Sequence, residues 1–286
     1  VDFLVKIDQK ACFLFVKRTK KIGVVIEIGG AFVGKKGAMV PQRSEIPMFW
    51  GTSAEMEHIR AVVERVAVTD ANILITGENG TGKELLAREI HRMSARCGKP
   101  MVSLDMGAIP ESLFESELFG HKKGAFTDAY ADREGKMVAA NGSTLFMDEI
   151  GNLPLHLQAK MLVALQSRMV VPYGGNAAKP IDIRLVAATN RNLFSMVESG
   201  EFRQDLLFRI NTIHINLPPL RKRAVDIVPL AGIFLTHYCE KYKKEPLSIS
   251  QAAASRLTSH TFEGNIRELQ NIMEKAVIMW HCNGSF

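Results

Sequence analysis

The stretch Asn72-Ile73-Leu74-Ile75-Thr76-Gly77-Glu78-Asn79-Gly80-Thr81-Gly82-Lys83-Glu84 decides the fold. Its first part is a short apolar run with β-branched residues, which predicts a buried strand. Its second part sets Gly77, Gly80 and Gly82 ahead of Lys83, and helical periodicity runs from Glu84 to about residue 93. Glycines let the backbone wrap a phosphate chain with its N–H groups turned inward. The following helix N-terminus favours an anion, and Lys83 brings positive charge to the outer phosphates. A ligand-free Gly-rich turn has the same composition, but strand, loop and helix in this order favour phosphate binding. The predicted nucleotide-binding residues are therefore Gly77, Glu78, Asn79, Gly80, Thr81, Gly82, Lys83 and Glu84. Glu84 stands where a P-loop commonly carries the Ser or Thr that reaches Mg²⁺. The metal must then be held from elsewhere.

Working outward, the apolar run Thr144-Leu145-Phe146-Met147 ends in Asp148-Glu149, 65 residues past Lys83. In a parallel sheet the carboxyl ends of adjacent strands meet at one edge. Asp148 is thus placed to hold Mg²⁺, mostly through water, and Glu149 to deprotonate an attacking water. A solvated acidic turn would look the same in isolation. A further run over residues 183–188 ends in Thr189-Asn190, whose amide can reach a γ-phosphate or the water, or can cap the next turn. Arg203 and Arg209 lie six apart on an otherwise apolar helical stretch. They suit a neighbouring subunit's nucleotide or ordinary surface ion pairs.

The wider pattern has three parts. Residues 1–48 alternate apolar and polar positions between glycines, which predicts short strands or a loosely ordered arm. From residue 49, helical runs (54–68 first) alternate with strand candidates at 72–76, 101–104, 143–147 and 183–188. That is an α/β core, a parallel sheet between helices. After Leu217-Pro218-Pro219-Leu220 only helical patterns remain, at 224–241, 250–259 and 265–279, a small all-helical subdomain.

The chain has 286 residues, 47% of them hydrophobic, enough for a sizeable core. Its net charge of +6 invites a nucleic-acid reading, but residues 1–48 hold nine Lys or Arg against four Asp or Glu, so five of the six charges sit there. The body is no basic platform. Cys12, Cys97, Cys239 and Cys282 form no CxxC pair, which suits a reducing compartment. No apolar run nears the ~18 residues of a membrane span. A cytoplasmic location is expected.

Taken in order, these motifs resemble the AAA+ domain of NtrC-like bacterial activators of sigma-54 RNA polymerase, from about residue 49 to 279. The diagnostic piece is Gly124-Ala125-Phe126-Thr127-Asp128-Ala129. It is similar to the family's GAFTGA loop, an insertion that touches sigma-54. The resemblance implies ATP and Mg²⁺, with Lys83 on phosphate and Asp148 and Glu149 as the Walker B pair. It makes Thr189 and Asn190 the first sensor, Arg203 and Arg209 trans-acting arginine fingers, and Arg267 the second sensor, in the lid. It implies a homo-oligomeric ring, a hexamer, acting on sigma-54 and the polymerase holoenzyme. The domains expected are an arm of unknown role (1–48), the ATPase core (49–220) and the lid (221–286). DNA binding is expected only through segments outside this chain, since neither a receiver nor a helix-turn-helix is found.

The sequence departs from the pattern at four places. Asp128 stands for the usual Gly and Lys122 for the usual Glu, which bears on the contact loop's mobility and charge rather than on the ATPase. Asp105 stands for an Asn that restrains the catalytic glutamate, and Phe262-Glu263 replaces a Trp-Pro. Two other functions fit less well: an AAA+ remodeller of a different protein client, and a hydrolysis-dead nucleotide-binding module. Glu149, Arg203 and Arg209 together argue against the second.

Overall fold

The computed structural model describes residues 3–7, 12–17, 46–126 and 129–280. The chain divides into two compact units, residues 54–222 and residues 1–53 with 223–286.

In the first unit a five-stranded, all-parallel sheet is built from β3 (Ile73–Thr76), β4 (Val102–Asp105), β7 (Thr144–Asp148), β10 (Arg184–Thr189) and β11 (Ile213–Asn216), in the spatial order β11-β3-β10-β7-β4. The central strands read as unbroken apolar runs because both faces are covered: all six residues of β10 are buried. Leu74, Leu145, Met147, Leu185 and Ala187 join one core cluster with residues of the helices α3 (Phe114–Phe119), α4 (Lys136–Ala139), α5 (Leu155–Ser167), α6 (Leu193–Glu198) and α7 (Gln204–Ile210). Their neighbours Ile73, Ile75, Phe146, Val186 and Ala188 are equally buried and point to the opposite face. There α2 (Lys83–Arg92) packs on β3, β7 and β10.

One edge strand, β11, is not among the strands the sequence predicts. It is short, and His214 and Asn216 alternate as exposed residues with Ile213 and Ile215, so it lacks the apolar run of a central strand.

Helix α1 (Ala54–Val66) buries Met56, Ile59 and Val63 along one stripe and ends two residues before the predicted 68. Its stop is set by tertiary structure. The fully buried Arg184 donates Nη1 to the Ala67 carbonyl (2.6 Å), Nη2 to that of Val66 (2.8 Å) and Nε to that of Ala71 (3.3 Å). Two small antiparallel ribbons complete this unit. One joins β5 (Gly120–His121) to β6 (Arg133–Glu134), the other β8 (Met169–Val170) to β9 (Lys179–Pro180).

The other unit holds α8 (Ile227–Lys241), α9 (Gln251–Ser259) and α10 (Asn265–Met279). The predicted run from residue 224 is instead a 3-10 turn, Ala224–Asp226, followed by α8. Pro229 explains the break, because inside a longer helix its ring would clash with the carbonyl four residues earlier, whereas in the first turn its missing N–H costs nothing. Strands are not wholly absent after the Pro-Pro linker. β12 (Ser248–Ile249) pairs antiparallel with β2 (Cys12–Lys17), which pairs with β1 (Phe3–Ile7). The expected strand at 24–28 lies outside the described residues. Phe262, at the Trp-Pro departure, is fully buried, and its ring meets that of His260 at 4.6 Å.

Candidate nucleotide site

Everything at the site follows from strand ends. Thr76 and Thr189 are paired in register, as are Asp105 and Asp148, so β3, β10, β7 and β4 deliver their last residues to one edge of the sheet. From Thr76 the chain turns through Gly77, Gly80 and Gly82, all at positive φ (154°, 78° and 99°), which a side chain would strain. Thr81, buried, closes the loop by donating its hydroxyl to the Glu78 carbonyl (2.8 Å).

Lys83 opens α2, and its buried ammonium donates to the Gly77 carbonyl (3.0 Å) and faces Glu149 Oε1 at 3.6 Å. Glu84 points away to an exposed ion pair with Arg88 at 2.8 Å. Of the loop's remaining members, Asn79 is exposed.

Asp148 ends β7 half-buried. Burial, then the charge of Glu149, pushes its carboxyl above the usual carboxylate range, while its Oδ1 accepts from the Glu149 N–H (3.0 Å). Glu149 leaves the strand in the left-handed region (φ 53°, ψ 47°). Its other oxygen, Oε2, accepts from the Thr189 hydroxyl (3.4 Å) and the Asn190 N–H (3.3 Å). Lys83, Asp148, Glu149, Thr189 and Asn190 are thus brought together. Asp105 sits beside Asp148 on the next strand, and its Oδ1 accepts from the Gly107 N–H (2.7 Å).

Arg203 and Arg209, in the same unit, do not join this cluster. Arg203 is not on the helix, as the sequence reading had it, but just before α7, where its N–H donates to the buried Gln158 side chain (2.8 Å) and its guanidinium forks onto Asp205. Arg209, within α7, donates to the Leu165 carbonyl (3.0 Å). Both are exposed and neither bonds Lys83 or Glu149. Arg267 is exposed on α10 in the other unit.

Around the Gly124-Ala125-Phe126 segment the flanks are the strands β5 and β6. Gly124, at φ 81°, donates its N–H to the Ala129 carbonyl (2.8 Å), and Ala129 donates to that of Phe126 (3.0 Å), which pinches the loop at its base. Thr127 and Asp128 lie outside the described residues. Phe126 is half-buried, edge-on to His121 (4.9 Å between centroids) and 6.4 Å from Tyr173. Tyr173, in the β8–β9 connection, also exchanges backbone bonds with Gly120 and Lys122. It went unnoticed in the sequence because the pairing is 47 or more residues distant. Lys122, a departure in charge, is ion-paired to Asp132.

A family model described as the sigma-54 interaction domain matches residues 49–216, and one described as the AAA+ ATPase lid domain matches residues 221–284. The regulatory protein AtoC of Escherichia coli (strain K12) is 48% identical over 234 residues, covering 80% of this chain and 51% of AtoC. The transcriptional regulatory protein FlbD of Caulobacter vibrioides is 46% identical over 224 residues, 78% of this chain and 49% of FlbD. The crystal structure of NtrX from Brucella abortus in complex with ATP superposes with a TM-score of 0.76 at 33% identity, covering 82% of this chain and 51% of that one. The chain spans about half the length of the curated relatives it matches. Among the described residues no helix is long and apolar enough to cross a membrane. With the first match taking in well over half of the chain and the lid match beginning just beyond it, this chain belongs to the sigma-54 interaction family of AAA+ ATPases.

Proposed function

We propose that this chain hydrolyses ATP as a homo-oligomeric ring, a hexamer, and spends the cycle on remodelling the closed promoter complex of RNA polymerase carrying sigma-54. The observation that carries the reading is the meeting of Lys83, Glu149 and the Thr189–Asn190 edge at the carboxyl ends of adjacent parallel strands. The ATP complex of NtrX supports the same substrate here.

In this reading the N–H groups of Gly77, Glu78, Asn79, Gly80, Thr81, Gly82, Lys83 and Glu84 cradle the phosphates, and Lys83 leaves its loop carbonyl for the outer ones. Asp148 suits Mg²⁺: it is a half-buried oxygen donor beside that loop, and Mg²⁺ keeps several waters and needs only one or two carboxylates. Held there, Mg²⁺ would supply positive charge against the phosphates. Glu149 takes the proton of the attacking water, oriented with Thr189 and Asn190. Arg203 and Arg209 act on a neighbouring subunit's nucleotide, and Arg267 acts from the lid. Residues 49–220 are the motor core, 221–286 its lid and 1–48 a basic arm. Gly124, Ala125, Phe126, Thr127, Asp128 and Ala129 form the sigma-54 contact.

The test is ATP turnover by the purified protein with and without sigma-54, paired with capture of sigma-54 in the presence of a transition-state analogue. No turnover would leave a nucleotide-binding module, and turnover without capture would point to another client. Phe126→Ala divides contact from core. As a contact it loses capture at nearly the parent melting temperature, since an aromatic anchor acts mainly on its partner. As a core residue it melts far earlier, by the ~3–5 kcal/mol of a large-to-small change, and still captures sigma-54.

A further inference from the structure

We infer that Arg221 is a positioning residue of the nucleotide site, which clamps the Glu78 carboxylate and so fixes the first turn of the phosphate loop and offsets the one negative charge that loop carries. This rests on the reading of residues 77–83 as the nucleotide loop.

The contact is a fork on a fork. Arg221 Nη1 reaches Glu78 Oε2 at 2.7 Å and Nη2 reaches Oε1 at 2.5 Å, across 143 residues of sequence. Both side chains are 43% exposed, and an exposed pair adds little to folding stability. Its worth has to be sought in what it orients. Glu78 is the second residue of the loop, and its main-chain carbonyl already accepts from the Thr81 hydroxyl (2.8 Å) and, more distantly, from the Lys83 ammonium (3.5 Å). Arg221 therefore holds the side chain of a residue whose backbone is held by two other loop members.

The approach of Arg221 is also constrained. Strand β11 runs beside β3, the Leu217 N–H donates to the Thr76 carbonyl (2.8 Å), and a Cβ on Gly77 would stand only 2.9 Å from the Leu217 carbonyl oxygen. Pro218 and Pro219 fix φ across the next two residues, Leu220 is fully buried, and Arg221 follows in the 3-10 turn Leu220–Lys222. The linker thus delivers a planar, permanently charged donor to one place on the loop.

The electrostatic need is plain. A carboxylate on a loop that cradles a triphosphate repels it, and a bidentate guanidinium removes that repulsion while leaving the loop's N–H groups for the ligand. Glu78 holds the Arg221 guanidinium more firmly protonated than usual through the same hydrogen bonds. A direct phosphate contact by Arg221 is the competing arrangement, and the two differ in how they depend on Glu78.

The experiment is calorimetric titration of the full chain with Mg-ATP, together with KM and kcat, for the parent, Arg221→Ala, Arg221→Lys, Glu78→Ala and the double alanine variant. Arg221→Ala is expected to weaken ATP binding and raise KM about tenfold, the scale of one charge interaction at a half-exposed site, with kcat changed less than twofold. Glu78→Ala in that background should recover most of the loss. Arg221→Lys should fall between, keeping the charge and losing the fork, and the defect should shrink in high salt. Parent-like ATP binding by Arg221→Ala overturns the proposal, and so do losses that simply add in the double variant, which is the signature of direct phosphate contact. Melting without nucleotide guards against a folding defect. Should Arg221→Ala not fold, Arg221→Lys with and without Glu78→Ala decides by the same non-additivity. Lys83→Ala separates the two levels: a parent that fails to bind ATP, or a Lys83→Ala chain that binds it normally, removes the underlying site and this proposal with it.

Discussion

Glu149 pays a conformational cost for its position. A non-glycine residue in the left-handed region is disfavoured by about 1–2 kcal/mol, yet the turn swings its carboxylate off the line of β7 and between Lys83 on one side and Thr189 and Asn190 on the other. Substitution should therefore separate binding from chemistry. On the proposed reading Lys83→Ala removes the charge that would face the outer phosphates and should abolish ATP binding in a calorimetric titration. Glu149→Gln keeps the shape and loses the proposed base, so it should bind ATP and stop hydrolysing it. Hydrolysis by Glu149→Gln at the parent rate would sink the assignment. The sequence made this pair legible because Asp148-Glu149 follows an apolar strand and Lys83 follows glycines. That the glutamate's second oxygen rests on Thr189 and Asn190 was not legible, because it depends on β10 lying between β3 and β7, a matter of strand order rather than of motif.

At the scale of elements, the central strands and the edge strand β4 were readable and the other edge strand, β11, was not. β7 and β10 are buried on both faces, so their apolar runs stand out, whereas β11 alternates and ends in a linker. The start of α7 was misplaced for a similar reason. Its boundary is set by Gln158 of α5, which spends its amide on the carbonyls of Leu153 and Glu201 and its oxygen on the Arg203 N–H, a contact with no local sequence signal. Arg184 does the same for α1, and here the balance can be measured. Arg184→Met keeps much of the volume but takes the guanidinium from the buried Ala67 carbonyl and the partly buried Ala71 carbonyl, at about 1 kcal/mol or more each, while the Val66 carbonyl keeps the Thr69 N–H and hydroxyl. Relief of the buried charge, which desolvation already makes easier to lose a proton, returns part of that. A net loss of about 1–3 kcal/mol is expected, read as a lower urea midpoint at unchanged slope. Arg184→Lys, which can serve fewer carbonyls, should fall between. A midpoint equal to the parent's would mean that water reaches those carbonyls.

For the whole molecule the question is what completes the site. Arg203 and Arg209 are exposed, and their own partners are Asp205 and the Leu165 carbonyl rather than the Lys83–Glu149 cluster. The Arg203–Asp205 pair is solvent-exposed and so cheap to exchange for a stronger anion. If these guanidinium groups serve a neighbour's nucleotide, Arg203→Ala and Arg209→Ala should each cut turnover by up to ~10³-fold while ATP binding persists. Mixing makes the argument directional. In a ring with head-to-tail interfaces, each site takes Glu149 from one subunit and Arg203 from the next. An Arg203→Ala subunit retains Glu149, and a Glu149→Gln subunit retains Arg203. At equal mixing, roughly a quarter of interfaces should join an intact base to an intact arginine, so two nearly inactive proteins should recover turnover on being combined. If the arginine instead acts within its own subunit, every hybrid site lacks one group, and the mixture turns over ATP no faster than its components do separately.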